Sequence, residues 1–237
     1  MKTLGVIGGL GPMATVYFMQ LVTEMTDAKT DQEHIPMVVH SLPQIPDRTA
    51  YLLGTSTENP VPQIVECGKK IENTGVDYIA IPCITAHALF DDIQESLETP
   101  VLHIIRETAD YLEREGVRVV GLEATDGTIN AGVFQKELEQ RGIRVVLPSE
   151  EKQKMVMHII YNNVKAGLRA DMERFQLVET ELLVKGAEVI ILGCTELSML
   201  SRDEKIGHGY LDAMEVLARA AVLNCGKLKA KYQRLLT

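Results

Sequence analysis

Two stretches of this chain end an apolar run in a cysteine with a threonine just behind it: DYIAIPCITAH at residues 77–87 and AEVIILGCTELS at 187–198. The thiols are Cys83 and Cys194, and the hydroxyls are Thr85 and Thr195. A thiol with an ordinary pKa of about 8.5 is a few per cent thiolate at neutral pH, and more beside a helix N-terminus. It can therefore take a proton from a carbon acid without a metal or an organic cofactor. One cysteine at a strand end reads equally well as core filler. Two at matching places read as a pair, one thiolate and one thiol, removing a proton from one face of a carbon and returning one to the other. Such an exchange inverts a stereocentre. The other two cysteines, Cys67 and Cys225, fall inside helical patterns and read as buried, inert thiols. No C-x-x-C spacing and no well-spaced histidine partner points to a redox pair or a zinc site.

The elements that must position this pair alternate short apolar runs with longer amphipathic ones, the pattern of an α/β protein with parallel sheets. Candidate strands are residues 3–8, 36–40, 77–81, 101–104, 118–122, 143–147 and 188–192. Helical spacing runs through ATVYFMQLVTEMT, VPQIVECGKKIEN, ETADYLERE and AGVFQKELEQR. Gly75, Gly116 and Gly142 stand just past three of these, where a left-handed cap is expected. The last stretch, LDAMEVLARAAVLNCGKLKAKYQRLL, reads as one long helix. The halves echo each other: GVIGGLGPMAT (5–15) matches VVGLEATDGT (119–128), and the two cysteine strands match as well. The expected organisation is residues 1–99 with 210–237 as a first domain carrying Cys83, and 100–209 as a second carrying Cys194. Ligands of open α/β sheets bind outside the carboxyl ends of the strands, which puts both cysteines on one cleft.

A net charge of −9 argues against a nucleic-acid partner. The absence of a long apolar run argues against a membrane span, and the short, glycine-rich apolar start against a signal peptide. GLGPMA (9–14) fits the G-x-G-x-x-G/A dinucleotide fingerprint, yet His40 and Ser41 stand where the ribose-binding acid belongs. A tight strand-to-helix turn whose amides face a carboxylate is the better reading. Arg48, in IPDRT, is either a solvated surface residue or a bidentate grip on a substrate carboxylate. Lys165 is either a helix-end dipole partner or a second anionic contact.

Taken together, GVIGGLGPMAT, DQEHIPMVVHSLPQIPDRTAYLLG, IAIPCITAH, GLEATDGT and ILGCTELSML, in this order, closely resemble the cofactor-independent, two-cysteine aspartate/glutamate racemases. The resemblance implies two pseudosymmetric, Rossmann-like α/β domains, a cytoplasmic homodimer, an acidic amino acid as substrate, and no pyridoxal phosphate. It carries the catalytic roles to Cys83 and Cys194, and recognition of carboxylate and amine to Arg48, Thr85, Thr125, Lys165 and Thr195, with Gly9 and Leu10 nearby. GCTE rather than GCTH at 193–196 leans towards the aspartate branch. One departure stands in the site: Ile84 replaces the asparagine of the family's PCNTAH, and it can neither donate nor accept a hydrogen bond. Leu10 and Glu123 also depart from the pattern. Another reaction on the same scaffold, a dicarboxylate isomerase or decarboxylase, is an alternative, as is a non-catalytic amino-acid-binding protein.

Overall fold

The computed structural model describes residues 1–236. Along the chain lie β1 (Leu4–Gly8), α1 (Pro12–Met25), β2 (Met37–Ser41), α2 (Arg48–Leu52), α3 (Val61–Glu72), β3 (Tyr78–Ala80) and α4 (Phe90–Glu95). Then come α5 (Ile104–Arg114), β4 (Val119–Ala124), α6 (Asp126–Ala131), α7 (Val133–Glu139), β5 (Arg144–Val146) and α8 (Glu150–His158). A π-helical turn over Ile159–Val164 continues α8, before α9 (Met172–Val184), β6 (Val189–Gly193), α10 (Thr195–Glu204), β7 (Tyr210–Asp212) and α11 (Ala213–Cys225).

All strand pairs are parallel, as expected when every strand-to-strand connection passes through a helix. The sheets have the orders β2-β1-β3 and β5-β4-β6-β7. In each, the first strand of its half is central, with the second strand on one side and the third on the other. The registers follow suit: Val6 faces Ala80 across β1–β3, and Ala124 faces Gly193 across β4–β6. Cys83 and Cys194 thus follow the third strand of their respective halves. Both sheets are nearly continuous apolar runs because helices cover both faces.

Three local readings are corrected. The run VLHI makes only an isolated bridge, Val101 to Ile79, because the His103 side chain accepts the Arg106 amide hydrogen and caps α5. The final helix stops at Cys225, where Gly226 packs so close to Ile35 that a Cβ would lie 2.8 Å from its Cγ1. From there the chain peels away to pair Leu228 with Thr26. Residues 210–212 add β7 to the second sheet, so the return towards α1 begins after Asp212. The capping glycines do adopt positive φ, at 77°, 74° and 70° for Gly75, Gly116 and Gly142.

Glu123 is the anomaly of the second core. It lies on β4, fully buried, and neither carboxyl oxygen has a hydrogen-bond partner among the described residues. Burial, aided by the negative charge of Glu179, pushes its pKa up to about 8. Below the pH at which an unfolded glutamate ionises, folded and unfolded chains both hold the proton. Between there and about 8 the unfolded chain has released a proton that the folded chain keeps, so stability falls as pH rises. Glu123→Gln removes this dependence. Denaturant unfolding is expected to show the variant gaining a few kcal/mol over wild type between pH 5 and pH 8, with about 5 kcal/mol as the ceiling. Equal pH dependence in both proteins would refute the assignment.

Candidate active site

Pro82 cannot donate to a ladder, so β3 stops, and the Cys83 amide turns back to the Ile81 carbonyl at 2.7 Å. His87 holds this turn from below: its Nδ1 lies 3.0 Å from the Cys83 carbonyl oxygen. Burial pushes the imidazole down to about 4, so it is neutral, and the short contact is an Nδ1–H donating to Cys83. In the second half Cys194 is the extended N-cap residue of α10. Its thiol donates to Glu196 Oε2 at 2.9 Å, and the Thr195 hydroxyl donates to the same oxygen at 3.2 Å. Burial above all, and then the Glu196 carboxylate, push the Cys194 pKa well up.

Leu10, Asp47, Arg48, Thr49, Cys83, Ile84, Thr85, Thr125, Lys165, Cys194, Thr195 and Glu196 line one small pocket. It is nearly shut, with Cys83 and Cys194 only 6% and 5% exposed. Arg48 enters on the first turn of α2, which Asp47 caps by accepting the Ala50 amide hydrogen at 2.8 Å. Its guanidinium donates to the carbonyls of Pro46 at 2.9 Å and Ile45 at 3.2 Å. Burial opposes its charge, but Cys83 and Asp47 beside it prevail and hold it protonated. Lys165 follows the π-helical turn, its amide reaching the Ile160 carbonyl at 2.9 Å. Its ammonium stands 3.9 Å from Asp47, 4.0 Å from Glu196 and 4.1 Å from the centre of the Tyr161 ring. Burial works against this charge too, and Glu196 and Cys194 outweigh it.

The halves meet in a ring of hydroxyls. Thr128 donates to Thr85 at 3.1 Å, and the Thr85–Thr125 and Thr125–Thr128 pairs each span 3.0 Å. With each hydroxyl proton used inside the ring, Thr125 spends its lone pairs on Thr85 and the Thr128 amide, while Thr85 keeps one for the pocket, which suits an ammonium group. Close backbone approach makes this possible: a Cβ on Gly127 would lie 2.9 Å from Thr49 Cα.

Of the residues expected from sequence, nine line this pocket: Leu10, Arg48, Cys83, Ile84, Thr85, Thr125, Lys165, Cys194 and Thr195. Gly9 does not. At φ 92° it shapes the turn, and a Cβ there would lie 2.5 Å from the Leu42 backbone. Ile84 is 2% exposed and shares a buried apolar cluster with Leu102 and Met199, so this position is partly core. Asp47, Thr49 and Glu196 were not anticipated as lining, although two of them flank Arg48 and the third stands in GCTE. Cys67 and Cys225 lie buried in α3 and at the end of α11. A larger, open hollow beside His87, Phe90, His103 and Arg106 contains no thiol.

The sequence profile of the Asp/Glu/hydantoin racemases matches residues 7–221. The chain belongs to this family. Membership supports racemase activity, and three relatives match over nearly their whole length. The broad specificity amino-acid racemase RacX of Bacillus subtilis (strain 168) is 27% identical over 225 residues, covering 92% of this chain and 96% of that protein. The aspartate racemase of Picrophilus torridus superposes with a TM-score of 0.87 at 32% identity, covering 98% of each chain. An aspartate racemase homologue from Pyrococcus horikoshii OT3 gives 0.76 at 27% identity, covering 95% of this chain and 99% of that one. The two-domain α/β architecture is thus the racemase fold.

Thr128 is fully buried and completes the ring between the halves. Thr128→Val is expected to lower unfolding stability by about 1–2 kcal/mol. Chemical denaturation checks this, and an unchanged midpoint would show that the ring adds nothing.

Proposed function

We propose that this protein is an amino-acid racemase that interconverts the L- and D-forms of aspartate and/or glutamate by a two-base mechanism at Cys83 and Cys194. What carries the reading is that two thiols from equivalent strand ends line one closed pocket together with two cations, Arg48 and Lys165. Arg48 grips the α-carboxylate, Lys165 serves the side-chain carboxylate, and the remaining lone pair of Thr85 receives the ammonium. One cysteine, as thiolate, takes the Cα proton and becomes a thiol. The electron pair passes into the carboxylate, where Arg48 stabilises the developing charge. The opposite cysteine donates its thiol proton to the other face of Cα and is left as thiolate. Holding both sulfurs against Cα replaces a bimolecular encounter by a fixed geometry. No cofactor takes part in any of these steps. The protein works as a homodimer in the cytoplasm on this reading, and among the described residues no helix is long and apolar enough to cross a membrane.

Ile84 favours a second reading on the same site, a wider or shifted range of amino acids. An apolar side chain stands where a polar contact to the substrate's backbone would otherwise be made, and one similar protein is a broad specificity racemase.

Cys83→Ser and Cys194→Ser are each expected to lower racemisation at least about 100-fold. Chiral chromatography of all four enantiomers of Asp and Glu, with deuterium uptake at Cα in deuterated water, measures this. Full racemisation by either variant would sink the mechanism. In the same assay, Ile84→Asn separates the readings: raised Asp or Glu turnover marks a loosened acidic site, and loss of turnover on another amino acid marks Ile84 as a specificity residue.

A further inference from the structure

The two thiols are treated unequally by the protein. Cys194 donates to Glu196 Oε2 at 2.9 Å, inside a wall where Glu196 is itself only 4% exposed. The same carboxylate takes the Thr195 hydroxyl, and its other oxygen stands 4.0 Å from Lys165. Two residues after the cysteine, the first half has Thr85 in the place of Glu196, and the charged group beside Cys83 is the Arg48 guanidinium. The charged and titratable groups near Cys194 are therefore Glu196 from α10, Lys165 and Tyr161 from the turn after α8, and Asp47 and Arg48 from the opposite wall. Among the described residues, only Glu196 accepts a hydrogen bond from its sulfur. The two cysteine residues are 6% and 5% exposed, so residue exposure does not rank them.

We propose that Glu196 is a positioning residue that holds the proton on Cys194, leaving Cys83 as the base of the resting enzyme. The inference rests on the two-cysteine reading. A thiolate at Cys194 would lie against a carboxylate and lose the hydrogen bond that its thiol makes. Turnover of one enantiomer starts from the resting state: Cys83 gains the Cα proton, and Cys194 gives its own to the other face. The opposite enantiomer must meet the minor form, with the proton on Cys83. Because the two enantiomers are equally stable, kcat/KM is the same in both directions. The asymmetry therefore raises kcat and KM together for the enantiomer that needs the minor form.

The test measures alkylation by iodoacetamide, with peptide mass spectrometry giving the rate at each cysteine across pH, in wild type and in the Cys83→Ser and Cys194→Ser backgrounds. Cys83 is expected to react first, with Cys194 about tenfold or more slower at pH 8. Glu196→Gln, nearly the same shape without the charge, is expected to speed Cys194 about tenfold and lower the midpoint of its pH profile, leaving Cys83 unchanged. It also draws the two kcat values, and the two KM values, together. Equal rates at the two cysteines in wild type would overturn the proposal, and so would an unmoved Cys194 midpoint in Glu196→Gln. The wild-type comparison stands even if the variant does not fold. Unequal labelling without racemisation by wild type would overturn the racemase reading alone; racemisation with equal labelling would overturn only the placement of the proton.

Discussion

Two cations and two carboxylates share the walls of one small pocket, and none of them could be held there alone. An isolated charge taken out of water loses several kcal/mol of solvation, so the group neutralises or finds partners. Here the partners come from different chain segments. Asp47 caps α2 with one oxygen and faces Lys165 with the other, while Glu196 meets Lys165 from α10. Arg48 donates to backbone carbonyls through its Nη1, keeps a buried Nε without a partner among the described residues, and stays charged beside Cys83. The balance leaves the pocket close to neutral in formal charge before a substrate enters, and its cations protonated.

That balance exists only because the two sheets present their carboxyl ends to each other. Each half supplies a third strand ending in a cysteine, and each lacks what the other brings. The first half has Arg48 without a carboxylate at the thiol, and the second has Glu196 and Lys165 without an arginine. Duplication accounts for the matching strand orders, and the differences between the copies account for the chemistry. The hydroxyl ring of Thr85, Thr125 and Thr128 fixes where the copies touch.

Much of this was legible in the chain. The strand ends, the capping glycines and the repeat come from local patterns of period two and 3.6, which backbone geometry obeys whatever surrounds it. Cys83 and Cys194 could be paired from strand-end position and residue type, whereas Arg48 alone was ambiguous and only the family resemblance singled it out. Glu196 was visible only as a letter in GCTE. Its meaning depends on a thiol two residues back and an ammonium from a distant turn, and spacing alone does not reveal that. Thr128 and Asp47 escaped for the same reason, since both act across the boundary between the halves. The apolar run VLHI misled because a histidine side chain, rather than a change of polarity, sets the start of α5. The terminal helix misled because Gly226 ends it through a tertiary contact, with continuing helical periodicity on both sides.

The packing of α11 has a consequence for how the molecule is made. Phe18, Leu21, Val22 and Met25 of α1 share one buried cluster with Met214, Leu217, Ala221 and Val222 of α11, whose helix also packs on α5. A ribosome delivers β1, α1 and all of the second sheet before it delivers α11. Vectorial synthesis therefore leaves the apolar face of α1 uncovered until α11 has emerged, although domains ordinarily fold from the N-terminus as units. The helix that meets the ribosome's exit early waits for a partner that is made late.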